Sequence, residues 1–483
     1  MFRRLIIQLR NWRDRSYVRP WALAAPVVIL LFCLPLLRPL RHPDPLEISH
    51  DETARLATIQ AVGERRTLAL DPAAARFSRQ IIRDRIEPAV VYADQPPTLS
   101  VLLGGVYRLL IGLGFSLDSN TVFVSYLLTV VGSTLPVALA AGLVYRMGRV
   151  FELRRPVRAA LGLFVICASG LISYATVLNA YAPASALCLA SVGCLIQIGL
   201  SKTPARSGAW VAGSGFCAAL ATTIEPTAGV LLVLLGAGVL AVRWKLRVRI
   251  GALLLYLIGC SVPLVLHVVL TYPMTGDFRP GFLHPELAVY PRINLPTEGM
   301  GALQFFGVDL PSDDSDWSDE SSWVRFGRSV ERVAAVLFGG HGILSHFPIM
   351  IVGVFGIFAI MHRHWPSVLK VLAGATGIGT LVLICIFALL RTARLEPMFG
   401  APAFAVFLPL LIFWAGAWLR RQHPWWTWSA VGLLVAFSTG VSLVGATLPF
   451  PRDGYQGYSA RAALRELFRS DPSPIEPVVA SIR

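Results

Sequence analysis

The chain has 483 residues, 55% of them apolar and 15% charged, with a formal net charge of +15. A soluble chain of this length carries about 25% charged residues, so an ordinary soluble protein is excluded. Its apolar runs are continuous rather than alternating, which excludes a β-barrel, and its arginines cluster between the runs, as in cytoplasmic loops, which argues against nucleic acid as a partner.

Residues 1–20 read as a cytoplasmic segment, because Arg3, Arg4, Arg10, Arg13, Arg15 and Arg19 precede the first apolar run. That run, Trp21 to Leu40, lacks a small-residue cleavage site and reads as an uncleaved first span. An external loop over 41–120 follows. Within it, Asp51 to Glu64 predicts a helix with Leu56, Ile59 and Val62 on one side. Ala73 to Ile86 predicts a second, with Phe77, Ile81 and Ile82 apolar. Both read as helices on the membrane surface or as helices packed on each other.

Thr98 to Leu117 is apolar but carries Arg108 at its middle. A mid-bilayer arginine costs about 2.5–3.5 kcal/mol on insertion scales. If the run crossed, Arg146, Arg149, Arg154, Arg155 and Arg158 would lie outside, against the positive-inside rule. The run is therefore expected to be interfacial or re-entrant. The remaining spans are expected near 121–144, 157–176, 183–200, 208–223, 227–242, 249–271, 347–361, 367–390, 399–419 and 425–447, about eleven in all. They place a transmembrane domain at 21–449, a second large external loop at 272–346 and an external tail at 450–483. Asp313, Asp314, Asp316, Asp319 and Glu320 in the second loop read as a solvated face or a cation site. The seven cysteines all fall in apolar runs and read as buried apolar residues rather than a disulfide framework.

The polar first loop holds the chemistry-bearing pattern. Asp51-Glu52 heads a helix, and Tyr92-Ala93-Asp94-Gln95-Pro96-Pro97 opens a further apolar helix. With an N-terminal span and two large external loops, this resembles the GT-C glycosyltransferases that use polyprenyl-phosphate sugars, such as the protein O-mannosyltransferases and lipid A aminoarabinose transferases. The detailed resemblance covers roughly the first 185 residues. It implies an all-α polytopic membrane protein, a GT-C-type bundle with interfacial helices in its external loops, in a bacterial inner membrane with the active site external. It also implies an inverting sugar transfer from a polyprenyl-phosphate donor to an acceptor protein, lipid or glycan.

On that resemblance Asp51 is the preferred general base and Glu52 its orienting partner, although acids also open helices simply because the dipole favours them. Arg55, Arg391 and Arg394 are the candidates for the donor phosphate, since arginine contacts phosphate bidentately; interfacial snorkelling is the other reading. Tyr92, Asp94, Gln95 and Pro96 complete the candidate donor site. Gln95 stands where aminoarabinose-type enzymes commonly have lysine, and Asn179 stands near a position that often supplies a second acid. Glu225, in Thr223-Ile224-Glu225-Pro226, reads as lining the cavity or as a polar hairpin tip. Asp94 with His284 and Glu286 is the candidate set for a divalent metal. The competing classes are a secondary transporter or flippase, which calls for inverted repeats, and a GT-C-like binding or assembly factor without activity.

Overall fold

The computed structural model describes residues 18–37, 50–70, 81–83, 90–93, 95–200, 204–242, 246–276, 288–289, 322–339, 342–389, 398–420, 423–449 and 459–468. Helix α1 is Val18–Cys33. In the first loop α2, His50–Gln60, continues into a π turn, Ala61–Arg65, and α3 is Pro97–Gly112. A long bent helix follows as α4, Thr121–Thr129, a π turn over Val130–Thr134, and α5, Leu135–Met147. Next come α6 (Arg155–Cys167), α7 (Leu171–Tyr174), α8 (Tyr181–Leu200), α9 (Pro204–Ile224), α10 (Gly229–Ala241) and α11 (Leu246–Thr275). The remaining helices are α12 (Ser322–Phe338), α13 (Ile343–His346), α14 (Met350–Met361), α15 (Ser367–Leu389), α16 (Leu408–Leu419), α17 (Trp425–Thr447) and α18 (Ala460–Phe468).

The chain is an all-α polytopic membrane protein, with one small sheet outside the bundle. Strands β1 (Ile81–Arg83), β2 (Val91–Ala93) and β3 (Ala288–Val289) pair antiparallel in the order β2-β1-β3. This corrects the expected helix over 73–86. Ile81 and Ile82 are β-branched and favour a pleated surface, and their partners come from both of the large loops, at 91–93 and 288–289. Residues 73–80 lie outside the described set.

Among the described residues six helices are long and apolar enough to cross a membrane: Thr121–Phe151, Tyr181–Ile198, Ser207–Ile224, Leu246–Thr275, Ser367–Phe387 and Trp425–Thr447. A seventh is obtained if Val330–His346 and Met350–Met361, bent by 90°, are taken together. The first helix and those at 226–241 and 408–419 are apolar but shorter. Hydropathy counts residues and ignores breaks. The run at 157–176 stops at Cys167 and restarts after Gly170, whose φ is +79°. The run at 399–419 is split by a 3-10 turn, Pro402–Phe404, before α16 begins. Helix α3 is likewise too short to be a long span, and Arg108 is exposed on it. Tags after Leu117 and within Arg149–Arg155 are expected to report external and cytoplasmic positions. An external Arg149–Arg155 tag contradicts the interfacial assignment of 98–117.

Small residues set the closest helix crossings, as expected where lipid removes the hydrophobic drive between helices. At the α9–α11 contact a Cβ on Gly215 would lie 2.1 Å from the carbonyl oxygen of Tyr256, and one on Gly259 would lie 2.0 Å from that of Ala212. The first loop packs similarly: a Cβ on Gly63 would meet the Tyr107 ring at 2.5 Å, and one on Gly104 would meet Val62 at 2.5 Å. Helix α2 with its π turn is thus seated directly on α3.

Candidate functional site

Glu52 is 3% exposed. Its carboxylate accepts the backbone N–H of Leu178 at 3.3 Å, which ties the first loop to the turn between α7 and α8. That turn is built by Asn179, which is fully buried. The Asn179 amide nitrogen donates to the carbonyls of Tyr174 and Val177, and its side-chain oxygen accepts the N–H of Ala182 at 2.9 Å, in the first turn of α8. Asparagine is favoured at such positions because its oxygen meets an orphan helix N–H. Both side-chain donors are committed to backbone, so the structure gives Asn179 a scaffolding role.

The π turn at 130–134 completes this floor. An inserted residue in a helix turns extra side chains onto one face, and such turns recur at functional sites. Thr134 donates to the carbonyl of Ala175 at 2.8 Å, and Ser133 accepts the N–H of Asn179 at 3.3 Å. Gly132 lets three elements converge, since a Cβ there would lie 2.9 Å from both Leu103 of α3 and Leu178.

Arg55 is 1% exposed and sits one helical turn beyond Asp51 and Glu52, at spacings that share a helix face. Asp51 lies in the first turn of α2; its side chain is outside the described set. Strand β2 lies along the same helix. Ala93 packs on the fully buried Ala54 and on Leu70, and Tyr92 packs on Met274 at the end of α11. Gln95 and Pro96 are half-buried, Pro96 caps α3, and Pro97 opens it, where its missing N–H costs nothing. The structure therefore packs α2, which the acidic pair heads, against strand β2 of the aromatic–diproline segment. Asp94, His284, Glu286, Arg391 and Arg394 lie outside the described residues, as does the acidic patch at 313–320. Among the described residues no group of three or more His, Cys, Asp or Glu is placed to hold a metal ion.

Glu225 is 9% exposed at the end of α9. It caps a 3-10 turn over Pro226–Ala228, accepting from the Thr227 N–H at 3.3 Å and the Thr227 hydroxyl at 3.0 Å.

Two groups were not singled out from the sequence. His267 of α11 lies 3.3 Å, by its Nδ1, from the hydroxyl of the buried Thr98. The available signal was a lone ionisable residue in an apolar run. Tyr107 of α3 is fully buried. Its hydroxyl donates to Glu64 at 2.6 Å and accepts the N–H of Leu117 at 2.9 Å. Burial, and then the Glu64 carboxylate, push its pKa up to about 12, so the phenol stays a donor at neutral pH. Gln60 bridges onward, donating to Asp118 at 3.0 Å and to Glu64. Tyr107→Phe removes a bond to a charged group and orphans a buried N–H, and is expected to destabilise by about 1–3 kcal/mol. Thermal unfolding in detergent checks this.

No family model matches the chain, and no curated protein matches it. Solved structures give distant likenesses. ArnT from Cupriavidus metallidurans bound to undecaprenyl phosphate is 13% identical, with a TM-score of 0.49 over 94% of this chain and 70% of that one. The Archaeoglobus fulgidus oligosaccharyltransferase in its apo form is 13% identical, with a TM-score of 0.49 over 90% of this chain and 57% of that one. Apo ArnT from Cupriavidus metallidurans is 15% identical, with a TM-score of 0.42 over 84% and 63%.

Proposed function

We propose that this chain is an integral-membrane glycosyltransferase of the GT-C type. It takes a sugar from a polyprenyl-phosphate donor and transfers it to an acceptor on the external face. The observation that carries this reading is the anchoring of Glu52 to Leu178. A carboxylate-headed helix of a loop is locked onto the bundle beside the Tyr92–Pro97 segment, as a positioned site rather than a connector.

In this scheme Asp51 takes the proton of the acceptor hydroxyl as its oxygen bonds to the anomeric carbon. The bond from that carbon to the phosphate oxygen breaks, and the lipid phosphate leaves with the electron pair. A single displacement inverts the anomeric centre. Glu52 holds α2 against the turn and so orients Asp51. Arg55, Arg391 and Arg394 offset charge on the departing phosphate, where charge-assisted hydrogen bonds are strongest. Tyr92, Gln95 and Pro96 border the donor. Asp94 and His284 remain the candidate pair for a divalent cation, and no step is routed through it.

Glu225 tests how far the cavity extends. If it faces donor or acceptor, Glu225→Gln is expected to lower transfer while expression and thermal stability stay near wild type. The amide oxygen still accepts from Thr227, so the cap survives. Wild-type activity in the variant leaves Glu225 as a turn residue only. Transfer assayed with purified protein and a synthetic donor tests the whole reading. Tight donor binding without transfer by the wild-type chain would instead favour a binding factor.

A further inference from the structure

His346 ends α13 and is 3% exposed. Its Nδ1 lies 2.9 Å from the carbonyl of Gly342 and 3.1 Å from the Ser345 hydroxyl. That hydroxyl is itself directed at the carbonyls of Gly339 and Gly342. On its other side Nε2 lies 3.1 Å from the backbone nitrogen of Ala460, the first residue of α18. A carbonyl only accepts and a backbone N–H only donates. Both bonds therefore require one ring state: proton on Nδ1, none on Nε2, no net charge.

The same place seats α18. Ala463 is fully buried against Phe399, and the Phe399 ring meets His346 edge-on at 5.9 Å. Phe399 lies flush on α17 at Gly445, where a Cβ would lie 2.2 Å from the ring. Its carbonyl accepts the Tyr174 hydroxyl at 2.8 Å, and the Tyr174 carbonyl accepts from Asn179.

We propose that His346 is a pH-sensitive latch, holding α18 docked while the ring is neutral and releasing it when the ring is protonated. A second ring proton points an N–H at the Ala460 N–H. One hydrogen bond is lost, and a cation is set against the positive end of a helix. A histidine freed from the contact titrates near about pH 6.5. Because docking needs the neutral form, the docked population is complete above that range and falls as pH drops through and below it. Among the residues whose side chains are described, the other charged or titratable groups on the packed elements are Glu331 and Arg332 on α12, Arg461 and Arg465 on α18, and Tyr174 on α7. Helix α17 and residues 398–407 carry none.

The proposal stands apart from the reaction assigned above, and its test reads structure. Hydrogen exchange of the full chain in nanodiscs is measured between pH 8 and pH 5, corrected for the intrinsic pH dependence of exchange. Protection of 460–468 is expected to fall at least about tenfold across the range, while α17 stays unchanged; such a loss corresponds to about 1.4 kcal/mol. His346→Gln keeps an acceptor that does not titrate, and its protection is expected to be flat. Ala460→Pro suits the first helical position but has no N–H to donate, so its α18 is expected to be released already at pH 8. Flat protection in the wild type, or wild-type pH dependence in either variant, overturns the latch.

Discussion

Asp51→Asn is expected to lower turnover about 100- to 10,000-fold, the contribution general-base catalysis typically makes. Asparagine preserves size and most hydrogen bonding and removes only the proton acceptor. Donor binding is expected to change little, because the carboxylate acts on the acceptor's proton and does not attract a phosphate. A merely helix-opening acid predicts something different. Loss of an exposed dipole interaction costs about 0.3–1 kcal/mol, leaving a slightly less stable and nearly fully active variant. Glu52→Gln is the matched comparison. Its amide oxygen still accepts the Leu178 N–H, so the loop stays anchored and activity is expected to be reduced far less. A dead Glu52→Gln beside an active Asp51→Asn would keep the pair and exchange the roles.

The second large effect is structural. Gly259→Val places a side chain where the Ala212 carbonyl oxygen lies 2.0 Å from the Cβ position and the Phe216 nitrogen 3.0 Å away. Both obstacles are backbone of α9, so neither swings aside as a side chain would. Overpacking typically costs about 1–3 kcal/mol and sometimes more, and this site belongs at or beyond the upper end. Gly251→Val is the control on the same helix, since nothing lies within 4 Å of a Cβ there. The expected result is a large fall in thermal stability, or loss of monodisperse protein, for Gly259→Val alone. Equal behaviour of the two variants contradicts the close α9–α11 crossing.

Membrane class was legible from composition, because twenty-residue apolar stretches have few other physical homes. The helix headed by Asp51-Glu52 was legible from the spacing of Leu56, Ile59 and Val62. The breaks within the runs were not, because Gly170 and Pro402 interrupt stretches that hydropathy reads as continuous. The sheet was hidden for a different reason. Ile81 and Ile82 fit one face of a helix as well as they fit a strand, and the choice was made by Tyr92, Ala93, Ala288 and Val289, one pair of them some two hundred residues away. The site was half legible. Glu52 stood out with Asp51 at the head of a predicted helix, but its partner, the Leu178 N–H, lies 126 residues away in a turn that carries no sequence signature. Asn179 drew notice as the residue standing where an acid was sought, whereas its capping oxygen explains its place. His346 gave no local signal, because its partner at Ala460 lies 114 residues away in the C-terminal tail.

The central claim is that the anchored acidic loop performs sugar transfer from a lipid-linked donor. The most direct measurement incubates purified wild type, Asp51→Asn and Glu52→Gln with a synthetic polyprenyl-phosphate sugar and candidate acceptors, and follows release of polyprenyl phosphate. The account predicts acceptor-dependent release by the wild type with inversion at the anomeric carbon, and its collapse in Asp51→Asn. Undiminished release by both variants would contradict it.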